Sequence, residues 1–248
     1  CLSVCMYRLL LLLLVLISHP VTAFELVFAY GAGNGAPFSI IKNGQLESGL
    51  FKDIGEALAS ELHVTVRFRH SPHKRTSLLL SDGTVNSVCM THPDWIEGSE
   101  FLTWSEKTME DYDHLIMLES NHKIIRHYDD LKGMHIGAMT GYIYFPEFMA
   151  VFDLGLAKRR DMNSLDALYS SLKATRIDAV VDSLISVRYR QKVNPDFKQL
   201  NISELAVYKY DLYCAFNRSL ISETTKINQG IRRMKERGVF TEILRRYQ

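Results

Sequence analysis

Short apolar runs alternate along this chain with longer segments whose apolar residues recur at helical spacing. The strand-like runs cover residues 25–30, 64–69, 86–91, 134–139, 178–182 and 212–216. Between them, apolar residues spaced three or four apart predict helices within residues 51–62, 165–172 and 227–234. This alternation predicts βαβ units, an α/β fold and a sheet rich in parallel strands.

The first 23 residues have a pattern of their own. Arg8 precedes an apolar run at 9–17, and the Val-Thr-Ala sequence at 21–23 suits a signal-peptidase site. The run is too short to span a bilayer, so we predict a cleaved secretory signal at residues 1–23, with initiation at Met6. No cysteine lies directly after the run, at residues 18–24, and we expect a periplasmic protein without a lipid anchor.

Charge and composition narrow the possible functions. The 29 Lys and Arg residues nearly balance the 28 Asp and Glu residues, which argues against a nucleic-acid partner. Gly31, Gly33 and Gly35 nominally fit a dinucleotide fingerprint, but Pro37 interrupts the helix that should hold the pyrophosphate. We therefore expect no cofactor. No Ser-His-Asp order, nucleophile elbow or Cys-His pair has supporting context, so we expect a protein that is not an enzyme.

One unit, residues 37–62, joins a Pro-Phe loop, a glycine-marked turn at Gly49 and an amphipathic helix with Asp53 in its first turn. Such a helix also occurs in unrelated α/β domains. Four further segments follow in order: SDGTVNSV at 81–88, DDLKGMHIGAMTG at 129–141, ATRIDAVVDS at 174–183, and the ending at 227–247. Together they resemble the family 3 extracellular solute-binding proteins of polar amino-acid ABC transporters, over essentially the whole chain after residue 23.

The resemblance implies a two-lobed periplasmic-binding-protein type II fold, in which two mixed sheets are joined by two crossing hinge strands. Lobe 1 would comprise residues 24–115 and 209–248, and lobe 2 residues 116–208. The hinges would lie near residues 114–118 and 207–211, and the ligand cleft would lie between the lobes.

The resemblance also places a ligand site, although the anchors for an amino acid are changed. The candidate ligand-binding residues are Phe38, Arg75, Thr91, His92, Gly141, Tyr142, Asp182 and Ser183. The Arg that forks the ligand carboxylate in typical members falls on Gly98 here, and the Asp that pairs with the ammonium group falls on Ser183, beside Asp182. We expect Arg75 to substitute as the anchor for an acidic group. Its alternative is an exposed basic helix start.

Two pairs of residues leave alternatives open. His70 and His73 have a spacing that could ligate zinc, but no third ligand with suitable spacing is evident, so we expect no metal. Cys89 and Cys214 would lie on adjacent strands in this scaffold. An exported protein permits a disulfide, but free buried cysteines are common, and we favour two buried thiols over a bond.

The sequence therefore predicts a monomeric solute-binding protein that closes its lobes on a small polar, acidic ligand and delivers it to the inner-membrane permease of an ABC transporter. One alternative is a ligand-sensing partner of a membrane receptor or signalling protein. Another is a periplasmic enzyme like the cyclohexadienyl dehydratases, which share the scaffold.

The secretory signal gives a first testable prediction. When the chain is expressed with residues 1–23 in a bacterium, intact-mass analysis of the exported protein should place Phe24 at its N-terminus. A retained leader would contradict the prediction.

Overall fold

The computed structural model describes residues 24–31, 35–72, 75–142 and 144–248. The predicted secretory signal, His73 and part of the glycine-rich segment at 31–36 lie outside these residues. Across the described ranges, no helix combines the length and the apolar character needed to cross a membrane.

The described residues alternate between strands and helices. The strands are β1 Glu25–Tyr30, β2 Ile40–Lys42, β3 Gln45–Ser48, β4 Thr65–His70, β5 Ser87–Thr91, β6 Thr103–Trp104, β7 Met109–Leu118, β8 His135–Met139, β9 Lys158–Met162, β10 Ala179–Ser183 and β11 Leu200–Phe216. The α-helices are α1 Leu50–Leu62, α2 Thr76–Ser81, α3 Pro146–Asp153, α4 Leu165–Lys173, α5 Leu184–Val193, α6 Thr224–Glu236 and α7 Val239–Arg245.

Most strands belong to one mixed sheet in the order β4-β1-β5-β11-β7-β10-β8-β9, with β6 beside β11. The strands β4, β1 and β5 are parallel to one another, and so are β10, β8 and β9. Between these groups β7 and β11 form an antiparallel pair. The two predicted sheets are therefore continuous through the two crossing strands.

The unit at residues 37–62 folds as a loop that caps a helix. The first N–H groups of α1 have no partner within the helix. The N–H of Leu50 donates to the carbonyl of Pro37 at 2.9 Å, and that of Phe51 to the carbonyl of Phe38 at 3.1 Å. Gly49 has φ 123°, and a Cβ there would lie 2.6 Å from the Phe38 carbonyl oxygen. Only glycine fits, which explains the turn and fixes Phe38 beside the helix.

Buried apolar side chains form separate clusters on the two parts of the sheet. The largest packs α1, α6 and α7 against β1 and β5, and it includes the predicted helical stripes of α1 and α6. Two more clusters cover opposite faces of the other part: Leu115 and Met117 of β7 belong to one, and Ile116 between them belongs to the other. This alternation follows from the two-residue period of a strand.

The crossing strands are longer than the sequence pattern predicts. The apolar run at 212–216 is only the end of β11, which begins at Leu200. Charged and aromatic residues occupy its middle, and they pair with an equally polar stretch of β7. Backbone pairing, rather than an apolar pattern, maintains the strand there.

Cys89 of β5 and Cys214 of β11 are joined by a disulfide across 125 residues. The preference for free thiols is therefore wrong in this structure. The sequence places both residues in strands, but whether two cysteines can bond depends on the pairing of those strands, which only the tertiary structure fixes.

The disulfide predicts that Cys89 and Cys214 do not react with a thiol reagent until the bond is reduced. Because both residues are buried, the protein is labelled in denaturant: without reductant, a thiol reagent followed by peptide mapping should leave Cys89 and Cys214 unlabelled, and after reduction it should label both. Because the bond constrains a long loop in the unfolded chain, a Cys89→Ala, Cys214→Ala variant should lose about 2–5 kcal/mol of unfolding free energy. Labelling of either residue in the unreduced protein would contradict the bond.

Candidate functional site

A cavity lies where the two parts of the sheet meet, and both parts contribute to its walls. From the first part come the ends of β1 and β5 and the loop that carries Phe38; from the second come residues of β8, β10 and the segment around Tyr142. The crossing strands supply Asp111, Asp113 and Tyr210. In open α/β sheets such a crevice, at the ends of strands, is the usual location of a ligand site.

Aromatic rings form much of the cavity wall. Its aromatic residues are Tyr30, Phe38, Phe51, Trp95, Tyr142, Tyr144 and Tyr210. The Trp95 and Tyr210 rings meet edge to face with centroids 5.1 Å apart, and this contact holds the two rings in place in the wall.

A β-bulge shapes the wall beside the disulfide. Thr91 pairs with Tyr213 and Val88 with Ala215, so β5 carries two residues opposite the single Cys214. Met90 takes up the extra length with φ 56°, a left-handed conformation that a residue with a long side chain rarely adopts. Met90 and Thr91 both face the cavity as a result.

Three carboxyl groups line the cavity close to the crossing strands. Asp111 and Asp113 lie two residues apart on β7, and therefore on one face of that strand. The Tyr210 hydroxyl, from β11, donates to Asp113 at 3.1 Å and is 3.3 Å from Asp111. Asp182 is the second-to-last residue of β10, and the last one, Ser183, pairs with Asp113 of β7.

Neutral donors surround these carboxylates. Asp111 accepts hydrogen bonds from the backbone N–H groups of Tyr112 at 2.8 Å and Ile185 at 3.3 Å. Asp182 accepts from the hydroxyls of Tyr169 at 2.7 Å and Ser186 at 2.9 Å. These bonds orient the carboxyl groups but bring no positive charge to them.

Burial raises the pKa of all three carboxyl groups, because a charge is poorly solvated there. The pKa of Asp111, whose residue is 3% exposed, rises to about 7. The pKa of Asp113 rises well above its ordinary value of 3.8, through burial and then through repulsion by Asp111. Burial also raises the pKa of Asp182, although the Tyr169 hydrogen bond opposes this.

Five of the eight sequence-predicted site residues line the cavity: Phe38, Thr91, Tyr142, Asp182 and Ser183. They come from four separate strands and loops, which the fold brings together. Ser183 also caps α5 by accepting a hydrogen bond from the Ser186 N–H at 3.2 Å. Whether these residues bind a ligand stays a prediction.

Arg75, His92 and Gly141 are placed differently. Arg75 is exposed at the start of α2 and does not line the cavity. His92 caps the short 3₁₀-helix Pro93–Trp95, with Nδ1 accepting from the Asp94 N–H at 3.2 Å. Gly141 is exposed, and the α-helix that follows it begins only at Pro146, which has no N–H to offer an anion. Gly98, in the position of the family's Arg, has φ 72°, which disfavours any side chain.

The sequence reasoning missed Asp111, Asp113, Trp95 and Tyr210. For Asp111 and Asp113 a signal existed, because acidic residues two apart in a strand share a face. Their burial could not be predicted, since it depends on the contact of β7 with β11 and α5. Trp95 and Tyr210 lie 115 residues apart, in segments that only the fold brings together.

The raised pKa of Asp111 predicts a pH dependence of stability. A folded-state pKa of about 7 against an ordinary 3.8 means that the folded protein holds this proton more tightly. The stabilising contribution is complete below about pH 4 and is lost as pH rises through 7; it amounts to at most about 4 kcal/mol. Asp111→Asn should therefore gain stability relative to the parent as pH rises from 4 to 8.

Urea unfolding at several pH values measures this difference. Asp153→Asn is the control, because Asp153 is exposed and lies outside the cavity lining. Equal slopes of unfolding free energy against pH for Asp111→Asn and the parent would refute the buried, protonated state of Asp111.

This chain matches known proteins in structure but not in sequence. No protein-family model matches the chain, and no curated protein matches its sequence. Solved structures do match. A substrate-binding protein of an ABC uptake transporter from Streptococcus pneumoniae, with bound histidine, is 16% identical at a TM-score of 0.72, over 90% of this chain and 92% of that one.

Two further matches have other roles in their own descriptions. The GluR0 ligand-binding core in complex with L-glutamate is 16% identical at a TM-score of 0.74, over 92% of this chain and 99% of that one. An ancestral amino acid-binding protein, a precursor of cyclohexadienyl dehydratase, is 20% identical at a TM-score of 0.70, over 90% of this chain and 94% of that one. These similarities confirm that the chain has the two-lobed periplasmic-binding-protein fold that its sequence motifs predict.

Proposed function

We propose that this protein is a solute-binding protein that captures a small solute between two lobes and delivers it to a membrane transporter. The observation that carries the proposal is the cavity, whose walls come from both parts of the sheet. A solute held there touches both parts at once, so its binding favours the state in which they are close.

The lobes we propose are residues 24–115 with 209–248, and residues 116–208. The separation of the buried clusters supports this division: Leu115, Met117 and Val207 belong to one cluster, whereas Tyr210 and Leu212 belong to another. Only β7 and β11 would then connect the lobes, so hinge motion requires changes in few backbone angles.

Contacts beside the cavity support closure by movement of α5. The Ile185 N–H bonds Asp111 of β7, and Ile185 is buried in the cluster of the other part. At the far end of the helix, the Lys192 ammonium donates to the carbonyl of Arg246 at 2.8 Å. These contacts join the lobes without covalent linkage, and we propose that they are the ones made and broken as the lobes move.

The cavity does not favour the acidic ligand that the sequence suggests. Its charged lining residues are Asp111, Asp113 and Asp182, and its lining includes no Lys, Arg or His among the residues that the structure describes. Arg75, the expected anchor, is exposed outside it. A carboxylate brought into this cavity would lie beside three carboxyl groups, with no Lys, Arg or His of the described lining residues to pair with it.

Catalysis is the second candidate function, and one observation favours it. A buried carboxyl group with a pKa near neutrality, as Asp111 has, is suited to act as a general acid. Turnover of prephenate or arogenate, abolished by Asp111→Asn, would support an enzyme. Binding of a solute without its conversion supports the binding protein.

Lobe closure predicts a measurable compaction. A thermal-shift screen of amino acids, amines and carboxylic acids should find a solute that raises the melting temperature, because it binds only the folded protein. Small-angle scattering at saturation with that solute should give a smaller radius of gyration than without it. An unchanged radius at saturation would argue against a closing binding protein.

The cavity wall predicts which substitutions weaken binding. Trp95→Ala removes a ring that lines the cavity and packs on Tyr210, so the dissociation constant of the solute found in the screen should rise at least about tenfold. Arg75→Ala is the matched control and should leave it unchanged. If calorimetry instead shows weaker binding for Arg75→Ala and unchanged binding for Trp95→Ala, Arg75 is the anchor.

A further inference from the structure

Among the residues that the structure describes, the charged side chains that line the cavity are all acidic, and no Lys, Arg or His lines it beside them. Asp111, Asp113 and Asp182 line it, all three within the region around Tyr210 and the start of α5. The guanidinium of Arg190 is the cation that acts on Asp182, but it does not line the cavity; it lies over the Tyr169 ring, 4.9 Å from the centroid, and pairs with Asp166 at 3.0 Å. Arg190 is therefore engaged outside the cavity.

Unbalanced buried carboxylates are costly, and the protein has two ways to relieve the cost. One is to hold protons on them; the other is to bind a positive charge. The hydrogen-bond donors present, such as the Tyr210 hydroxyl, orient the oxygens but leave the net charge as it is. A cationic ligand would supply the missing charge.

The aromatic wall specifies what kind of cation fits. The rings of Trp95 and Tyr210 and those of Phe38, Phe51 and Tyr142 face the same space as the carboxyl groups. Aromatic faces attract organic cations, and they also bury an apolar body. A bare metal ion is not favoured, because no three His, Cys, Asp or Glu side chains in the described residues converge to ligate one.

The wall also lacks what a carboxylate would need. The position of the family's guanidinium is Gly98, in a left-handed conformation. No Lys, Arg or His among the described residues lines the cavity. A free amino acid would thus bring a carboxylate that finds no Lys, Arg or His among the described lining residues to offset the loss of its hydration.

We propose that the cavity binds an organic cation, an ammonium group on an apolar or aromatic body, and that it binds this cation in preference to the matching amino acid. The proposal rests on the proposed function, since it names the class of solute captured. The ammonium group lies among the three Asp side chains, and the apolar body lies against the rings.

Binding of this cation releases protons. Because burial raises the pKa of the carboxyl groups, part of the cluster is protonated in the empty cavity. An ammonium group lowers those pKa values, so affinity rises with pH, by up to about tenfold between pH 6 and 8 through Asp111 alone. Among the described residues, the titratable and charged groups that face the cluster, besides its three members, are Arg190 and five tyrosines: Tyr142, Tyr144, Tyr169, Tyr208 and Tyr210.

The test uses ligands that share one body and differ in charge. Phenethylamine, phenylalanine and 3-phenylpropionate form one set; isoamylamine, leucine and 4-methylpentanoate form the other. Calorimetry with the whole protein should show that at least one amine binds ten or more times more tightly than its amino acid, with the carboxylate weakest. Tighter binding of the amino acids or carboxylates, or no binding of either amine, overturns the proposal.

Variants locate the binding. Asp113→Asn should weaken binding of the amine at least tenfold and Asp111→Asn should reduce its pH dependence between pH 6 and 8, while Asp153→Asn, at an exposed site, should change neither. Far-ultraviolet circular dichroism checks that each variant is folded. Unchanged binding in both cavity variants refutes the proposal.

The outcome separates this inference from the proposed function. An amino acid or carboxylate that binds better than its amine, and compacts the protein, leaves solute capture standing and refutes the choice of cation. An amine that binds without compaction supports the cation and contradicts capture by closing lobes.

Discussion

The antiparallel pairing of β7 with β11 is the constraint on which the rest of the structure depends. It makes two parallel sheets into one continuous layer and leaves the two parts with separate buried clusters. It also brings polar residues of both strands to the same place, because Tyr210 lies opposite Asp111 in the register. The pairing of β7 with β11 therefore both connects the lobes and places polar side chains in the cavity.

Burial determines the chemistry of that cavity. Carboxyl groups on an exposed strand would be ionised at neutral pH and weakly interacting. Here the walls exclude water, the three groups repel one another, and their pKa values rise. Asp111 in this state titrates near neutral pH, where an ordinary surface carboxyl group is already ionised.

The residues that maintain the fold differ from the residues that select the ligand. The capped helix at residues 37–62, the glycine at position 49 and the apolar stripes of α1 and α6 maintain a fold that many binding proteins share. The wall residues decide what enters it, and the charged ones among them are Asp111, Asp113 and Asp182. A shared fold thus predicts where a ligand binds, and the local side chains predict which ligand.

The sequence by itself determined the fold and most of its elements, because these depend on local signals. The apolar period, the glycine turns and the helix caps each depend on residues within a dozen positions of one another. The predicted strand at 25–30 and the helix after Gly49 accordingly agree with β1 and α1. It also placed Phe38, Thr91, Tyr142, Asp182 and Ser183 where the cavity lies.

Only the tertiary structure decided the charge of the cavity and the bond between Cys89 and Cys214. Both depend on pairs far apart in the chain, such as Asp111 with Tyr210. An exposed arginine and a cavity-lining one look alike in a sequence, and so do a solvated aspartate and a buried one. Burial and strand pairing distinguish them, and these arise from contacts between distant segments rather than from the order of neighbouring residues.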